Sequence, residues 1–166
     1  MAREIERKFL VRRDRWRPNG TAGTGGTRYR QGYLSTDPAR VVRVRTAGDA
    51  AFLTVKGTTV GTSRAEYEYR IPLEDADEML DQLCLHPLIE KTRYREAFGG
   101  RPWEIDVFEG TNDGLVVAEI ELSSAQSQFE EPPWLGAEVS GDPRYFNSNL
   151  VRAPFTSWTS RGDDGS

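Results

Sequence analysis

The stretch EIERKFLV, residues 4–11, places Glu4, Glu6 and Lys8 on one parity, whereas the residues of the other parity are mostly apolar. Successive side chains of a β-strand point to opposite faces, so these three charged groups would share a face with neighbours about 7 Å apart. Such a face lies either in water or in a site that uses charges of both signs.

Eight segments are predicted as β-strands. They are rich in β-branched and aromatic residues and are separated by Gly, Asp, Asn or Pro. The predicted strands cover residues 3–11, 27–34, 40–46, 50–57, 64–71, 90–97, 101–109 and 115–123. Short turn sequences at residues 47–49, 99–100 and 111–114 favour antiparallel hairpins between them.

One longer helix and two short ones are expected around these strands. Residues 73–84, LEDADEMLDQLC, have acidic groups in the first turn and an apolar face at helical spacing. A short helix is predicted to begin at Ser124 and to end at Pro132-Pro133. A second short helix is predicted to begin at Asp142, which can cap it.

The charged parity of the first strand recurs on six other strands. Only the second strand is ambiguous, because Arg28 and Arg30 alternate with aromatic and amide side chains. On the remaining strands the charged face is almost purely ionic and nearly balanced. It holds the carboxylates Glu4, Glu6, Glu66, Glu68, Glu104, Asp106, Glu119 and Glu121 and the cations Lys8, Arg43, Arg45, Lys56, Arg70, Lys91, Arg93 and Arg95.

Two arrangements fit this pattern about equally well. An antiparallel sheet can have one dry face and one solvated face, for which charged alternation is ordinary. Alternatively, an α+β, mainly β chain can form a closed eight-stranded antiparallel barrel with apolar residues outward under peripheral helices and ionic residues inward. The second arrangement predicts an interior channel lined by both signs of charge.

An interior of that kind requires a matching ligand. Removing a charge from water costs several kcal/mol per ion unless the charge is paired. Phosphate oxygens would satisfy the Arg and Lys side chains, and Mg²⁺ or Mn²⁺ would bridge them to the carboxylates. One histidine and one cysteine in 166 residues disfavour a zinc site.

Length and charge limit the classes of protein. A chain of 166 residues fits one domain, expected over residues 1–155 and followed by a mobile polar tail at residues 156–166. A net charge of −4 argues against nucleic-acid and acidic-membrane binding, and no apolar run is long enough for a membrane span. The single cysteine, Cys84, excludes a disulfide framework and favours the cytoplasm.

Taken in order, the motifs resemble the CYTH, or triphosphate tunnel metalloenzyme, superfamily, and in particular its short bacterial inorganic triphosphatase members. The matching motifs are Glu4-x-Glu6-x-Lys8, QGYL at residues 31–34, Arg43-x-Arg45, Lys56-Gly57, Glu66-x-Glu68, Lys91-x-Arg93, WEIDVF with Asp106, and Glu119-x-Glu121. The resemblance covers residues 3–154. It implies a closed eight-stranded tunnel that binds a triphosphate with a divalent metal and cleaves tripolyphosphate to pyrophosphate and phosphate.

The resemblance and the chemistry of phosphoryl transfer together suggest residue roles. The predicted phosphate-binding residues are Lys8, Arg43, Arg45, Lys56, Lys91 and Arg93. The predicted metal ligands are Glu4, Glu6, Glu119, Glu121 and Asp106. The predicted catalytic residues are Lys8, Lys56, Asp106, Glu66 and Glu68, of which Asp106 with Glu66 or Glu68 would orient a second metal or the attacking water. For each of these residues, a structural cross-strand ion pair is the alternative.

Other activities of the same site stay open. They are hydrolysis of ATP or thiamine triphosphate, cyclisation of ATP to cyclic AMP as in class IV adenylate cyclases, and non-catalytic binding of polyphosphate or nucleotides. A homodimer also stays open, because the outward aromatic residues Tyr67, Tyr69 and Trp103 could either pack within the chain or contact a second copy.

Overall fold

Nine strands form one antiparallel sheet in the computed structural model, which describes residues 5–17, 25–60, 63–124 and 126–158. The strands are β1 (Ile5–Val11), β2 (Thr27–Ser35), β3 (Arg40–Ala47), β4 (Ala50–Val60), β5 (Ser63–Arg70), β6 (Ile89–Phe98), β7 (Arg101–Phe108), β8 (Val116–Leu122) and β9 (Leu135–Glu138). Their order in the sheet is β5-β4-β3-β2-β6-β7-β8-β1-β9. The mainly β, antiparallel fold predicted from the sequence is confirmed.

The prediction of a closed eight-stranded barrel is wrong in two respects. The sheet has a ninth strand, and its end strands, β5 and β9, are not hydrogen-bonded to each other within the described ranges. The reason lies in β1, which pairs with β8 along one edge and with β9 along the other. Strand β9 pairs with this second edge at Phe9 and Val11, so the edge that β5 would need to close the ring is partly occupied. The sheet nevertheless curls, since residues of β1 and β5 line the same cavity.

Two helices and three short 3₁₀ turns accompany the sheet within the residues that the structure describes. The helices are α1 (Leu73–Gln82) and α2 (Asn147–Leu150), and the turns are Gly110–Asn112, Pro143–Tyr145 and Phe155–Ser157. As predicted, α1 is amphipathic; it buries Ala76 and Leu80. In the described part of the chain, no helix has both the length and the apolar character needed to cross a membrane.

The helix predicted to begin at Ser124 is absent from the described residues of that segment, which form bends and irregular structure. The local hydrogen bonds explain the difference: the Ser127 hydroxyl accepts from the Ser124 backbone N–H at 3.2 Å. Serine side chains compete in this way with helical hydrogen bonds. The other short element does begin where expected, because Asp142 caps the Pro143–Tyr145 turn by accepting from the Arg144 backbone N–H.

Apolar residues form two clusters on the outer face of the sheet and one on its inner face. The first outer cluster joins α1 to Val44 and Ala51 of β3 and β4. The second outer cluster covers β1, β7 and β8 and is centred on fully buried Trp103, whose ring meets that of Trp134 edge-on at 5.5 Å. The inner cluster consists of Leu10, Tyr33, Val41, Ile89, Phe108, Leu115, Val117, Val139, Tyr145, Leu150 and Val151. The inner faces of the strands therefore change from ionic to apolar along their length.

The structure resolves the orientation of β2, which the sequence left ambiguous. Arg28 and Arg30 lie on the outer face, where Arg28 pairs with Glu109 at 2.8 Å and Arg30 with Asp81 of α1 at 3.1 Å. The inner face of β2 thus carries Tyr29, Gln31 and Tyr33. Gly32 lies beneath the end of α1, where an added Cβ would approach the Cβ of Cys84 to 2.8 Å.

The boundary between a domain ending at residue 155 and a mobile tail stays a prediction. Residues 155–158 pack on the fold, since the Trp158 ring lies 5.2 Å from that of Tyr145. Residues 159–166 lie outside the described ranges.

Candidate active site

The inner faces of β1 to β8, which are ionic on every strand except β2, converge on one cavity of about 570 Å³. Its size is typical of sites for small molecules. The lining includes the cations Lys8, Arg43, Arg45, Lys56, Arg64, Lys91 and Arg93 and the carboxylates Glu6, Glu66, Glu68, Glu104, Glu119 and Glu121. Of the two arrangements that fit the sequence, the structure therefore has the one with charged side chains in an interior cavity.

The arginines of β3 have unused hydrogen-bonding capacity. The Nε atoms of Arg43 and Arg45 are buried and have no hydrogen-bond partner among the described residues. Burial, with the positive charges of Arg43 and Arg93, lowers the pKa of Arg45. Burial and the nearby Arg43 likewise lower the pKa of Lys56 on β4. This wall of the cavity is a set of mutually repelling cations that would be stabilised by an anion.

The ring of Tyr29 on β2 lies close to three cations of β3 and β6. Its ring centroid lies 5.2 Å from the guanidinium carbon of Arg45, 4.8 Å from that of Arg93 and 6.0 Å from Lys91 Nζ. Attraction between cations and the face of an aromatic ring offsets part of the repulsion. The ring therefore helps to hold β3 and β6 cations side by side.

Asp106 supports the cations of β6 from behind the cavity wall. Its carboxylate accepts from Lys91 Nζ at 2.8 Å and from two nitrogens of Arg93, at 2.8 and 3.0 Å. Burial alone would raise the pKa of Asp106, but Lys91 and Arg93 outweigh burial and hold the pKa well below its usual value. Asp106 is 3% exposed and does not line the cavity. Its predicted role as a metal ligand stays a prediction.

The opposite wall concentrates carboxylates. Glu6 and Glu121 lie directly opposite each other on β1 and β8, and Glu104 and Glu119 do so on β7 and β8. Like charges in such positions destabilise a sheet. Burial in the wall, reinforced by Glu119, raises the pKa of Glu6 from 4.5 to about 8, although Glu6 remains open to the water of the cavity.

Only part of this negative charge is compensated by Lys8. Lys8 lies opposite Glu119 on the neighbouring strand, and its Nζ is 3.6 Å from a carboxylate oxygen of Glu119. The same Nζ donates to the backbone carbonyl of Tyr145 at 3.3 Å.

The carboxylates fit a hard divalent cation by their chemistry. Carboxylate oxygens are the donors that Mg²⁺ and Mn²⁺ prefer. Burial first, and then the charges of Glu119 and Glu121, raise the pKa of Glu6, and a bound cation would offset the repulsion among these carboxylates. They are not assembled around a preformed site: among the described residues, no group of three or more His, Cys, Asp or Glu side chains could hold a metal ion. Glu4, predicted as a ligand, lies outside the described residues.

The two glutamates of β5 lie at the open edge of the sheet. Glu68 accepts a hydrogen bond from Thr54 Oγ1 at 3.0 Å and lies 3.6 Å from an Arg43 nitrogen. Glu66 lies opposite Lys56 of β4. Both residues are exposed and line the cavity.

Apart from Asp106 and the undescribed Glu4, every predicted site residue lines the cavity. Arg70 and Arg95, which share the ionic parity, do not. Sequence reasoning gave no role to Gln31, Tyr33, Thr59 and Arg64, which also line the cavity. Arg64 could have been found, because it shares the parity of Glu66 and Glu68 in β5. The roles assigned to individual residues stay predictions.

Residues 2–151 match the CYTH domain family. The chain belongs to the CYTH family. This CYTH domain is 51% identical over 155 residues to an inorganic triphosphatase of Acetivibrio thermocellus, covering 93% of this chain and 97% of the relative. It is 40% identical over 152 residues to an inorganic triphosphatase of Nitrosomonas europaea, covering 89% and 96%.

A solved structure supports the same membership. The crystal structure of an inorganic triphosphatase superposes on this CYTH domain with a TM-score of 0.68 and 35% sequence identity, over 91% of this chain and 95% of that chain. The similarity therefore extends over nearly the whole of both chains.

Proposed function

We propose that this CYTH domain is a hydrolase that cleaves inorganic tripolyphosphate to pyrophosphate and phosphate with the help of Mg²⁺ or Mn²⁺, and that it acts in the cytoplasm. The observation that carries the proposal is the pair of buried, unpartnered Nε atoms of Arg43 and Arg45, which share a cavity with Glu6, Glu119 and Glu121. Such a cavity calls for a ligand that is anionic toward one wall and cationic toward the other.

A triphosphate carrying a divalent cation has this character. Its phosphate oxygens can accept from guanidinium groups in pairs, for which arginine is well suited. Its cation can contact the carboxylate wall. The ligand would then offset the repulsion that adds to burial in lowering the pKa of Arg45 and in raising that of Glu6.

The cations of the chain would bind and orient the phosphates. Arg43 and Arg45 reach the cavity from β3, Lys56 from β4, and Lys8 from β1. Lys91 and Arg93 are held in place by Asp106, so their positions do not depend on the ligand. Phosphoryl transfer depends mainly on such positioning and charge neutralisation.

The carboxylates would divide between metal binding and water orientation. Glu6, Glu119 and Glu121 would hold the divalent cation, with Glu4 as a further ligand. Bound there, Mg²⁺ or Mn²⁺ supplies charge neutralisation on the phosphate oxygens and lowers the pKa of coordinated water. Glu66 or Glu68 would accept a hydrogen bond from the attacking water, because both are open to solvent in the cavity.

The relatives favour an inorganic substrate. Two proteins named inorganic triphosphatase share 51% and 40% of their aligned residues with this chain. Both alignments span about nine-tenths of this chain.

A product assay tests the proposal. The protein is incubated with Mg²⁺ or Mn²⁺ and, in parallel, tripolyphosphate, ATP or thiamine triphosphate, and phosphate, pyrophosphate and cyclic AMP are measured. We expect equal amounts of phosphate and pyrophosphate from tripolyphosphate, only with metal, at a rate well above that for the other substrates. Cyclic AMP from ATP, or no turnover of any substrate, would contradict the proposal.

Two substitutions assign the activity to the cavity. Glu6→Gln and Arg43→Ala should each lower the rate by about a hundredfold or more, as the loss of a transition-state contact typically does. Arg40→Ala and Glu78→Gln are matched controls of the same residue types on the exposed surface. Wild-type rates in both cavity variants would contradict the assignment of the activity to this cavity.

A further inference from the structure

One neutral side chain in the ionic cavity uses only half of its hydrogen-bonding capacity. Gln31 lines the cavity from β2, is 1% exposed, and has a buried Oε1 atom with no partner among the described residues. Its Nε2 donates a long hydrogen bond of 3.4 Å to the Tyr33 hydroxyl. Buried polar groups in folded proteins are nearly always satisfied, so a half-satisfied carboxamide at this depth indicates a partner supplied by the ligand.

The neighbours of Gln31 are hydrogen-bond donors. Arg45 lies directly opposite Gln31 on β3, and Arg43 lies opposite Tyr33. Burial raises the pKa of Tyr33, and the nearby charge of Arg43 opposes that rise, so the hydroxyl lies within reach of the guanidinium charge. Because arginine can only donate, a contact between the two groups uses the Tyr33 oxygen as acceptor and leaves its proton for another acceptor.

Rotation of the Gln31 carboxamide by 180° provides a donor for Gln31 Oε1 and an acceptor for the proton of Tyr33. The Tyr33 hydroxyl then donates to Gln31 Oε1, and both N–H bonds of Nε2 become available to acceptors other than Tyr33. The amide oxygen and nitrogen are nearly equal in size, so the rotation leaves the packing unchanged. In the rotated state, the inner face of β2 presents a neutral donor next to the cations of β3.

We propose that Gln31 is a further substrate-binding residue: its Nε2 donates to an oxygen of the phosphate group held by Arg43 and Arg45, and Tyr33 fixes the orientation of the carboxamide. This inference rests on the proposed function, because it takes the phosphate from a bound triphosphate. A neutral donor at this position adds a directional contact without adding to the repulsion among Arg43, Arg45 and Arg93.

Steady-state kinetics with tripolyphosphate tests the inference. Gln31→Met has a side chain of similar length with no amide, and Gln31→Glu keeps the shape but replaces the donor by a carboxylate. Loss of one hydrogen bond to a charged group should raise KM about tenfold in Gln31→Met with little change in kcat. Gln31→Glu should raise KM further, because its charge opposes the phosphate. Tyr33→Phe should give a smaller rise by releasing the carboxamide.

A matched control separates binding from folding. Thr46→Val replaces another buried polar residue of this region, on the outer face of β3, and should leave KM unchanged. Amide NMR of the ¹⁵N-labelled wild-type protein gives a second readout that needs no variant to fold. Adding imidotriphosphate, a non-hydrolysable analogue, with Mg²⁺ should shift the side-chain NH₂ resonances of Gln31.

The outcomes distinguish this inference from the proposed function. If wild-type protein neither binds nor hydrolyses tripolyphosphate, the proposed function itself fails. If wild-type protein is active but the Gln31 variants keep its KM and the NH₂ resonances do not move, the inference alone is overturned. A fall in kcat with unchanged KM would also overturn it, because Gln31 would then act on the attacking water instead of holding the phosphate.

Discussion

Asp106 is nearly inaccessible to water, yet it accepts hydrogen bonds from two cations, Lys91 and Arg93. These contacts fix the positions of both cations, which line the cavity. A buried charge network of this kind is stable only while every member is paired. Asp106 is thus the residue at which structural integrity and substrate binding are most closely linked.

Replacement of Asp106 should destabilise the fold. In Asp106→Asn, the buried Lys91 and Arg93 lose their counter-charge, and the free energy of unfolding should fall by about 3–5 kcal/mol. Urea denaturation measures the change. Asp77→Asn, which removes an exposed partner of Arg30, is the control and should cost less than about 1 kcal/mol. Equal losses of unfolding free energy in the two variants would show that Asp106 does not stabilise the buried cations Lys91 and Arg93.

Glu6 should make the metal-free protein less stable as the pH rises. Burial and Glu119 raise its pKa to about 8 in the folded state, against an ordinary value of 4.5. Between these values the unfolded chain has released the proton while the folded chain retains it, so the free energy of unfolding decreases with increasing pH. Glu6→Gln removes this dependence.

The variant Glu6→Gln should therefore equal the wild type in stability near pH 4 and exceed it above pH 8. Thermal unfolding in the presence of a chelator at several pH values measures the difference. Adding Mg²⁺ at pH 8.5 should stabilise the wild type more than the variant. A difference in stability between wild type and Glu6→Gln that is constant with pH would contradict the raised pKa of Glu6.

The sequence predicted most cavity residues because a strand has a period of two. Once the apolar parity of a strand is known, the ionic residues must share the opposite face, and Arg43, Arg45, Glu119 and Glu121 followed directly. Gln31 was not found because Arg28 and Arg30 gave β2 two plausible inner faces. Their outward position depends on partners in α1, β6 and the residue after β7, which local sequence does not specify.

Among the elements, α1 and the eight longer strands were predictable, whereas β9 and the segment before it were not. Strand β9 has only four residues and no alternation of polar and apolar side chains, and it exists because β1 offers it an edge. Gly136 permits the close approach: an added Cβ would lie 2.8 Å from the backbone oxygen of Leu10. This contact arises only in the folded chain.

Gly136→Ala should push β9 away from β1. Because the obstructing atoms belong to the Leu10 backbone, they cannot rotate away, and we expect a loss of about 1–3 kcal/mol in the free energy of unfolding. Chemical denaturation tests this. Gly141→Ala is the control, since an added Cβ at Gly141 meets nothing within 4 Å. If both variants keep wild-type stability, β9 does not pair with β1 as described.

At the scale of the whole protein, strand β5 at the end of the sheet is the candidate contact for a homodimer. Trp103, one of the aromatic residues considered for a dimer contact, is fully buried within the chain, whereas Tyr67 and Tyr69 on β5 are each 58% exposed. A homodimer through β5 stays a prediction. Sedimentation analysis of the wild type and of Tyr67→Ser/Tyr69→Ser tests it: a dimer lost in the double variant would support the contact, and a monomeric wild type would exclude it.

A cation-rich wall and a carboxylate-rich wall share one cavity, and a metal-bound triphosphate is the ligand that fits both. Isothermal titration calorimetry of the wild-type protein with imidotriphosphate, with and without Mg²⁺, measures this binding. We expect one binding site per chain, tighter with Mg²⁺, and a loss of affinity in Arg43→Ala but not in Arg40→Ala. Absence of saturable binding, or equal affinity in Arg43→Ala, would contradict it.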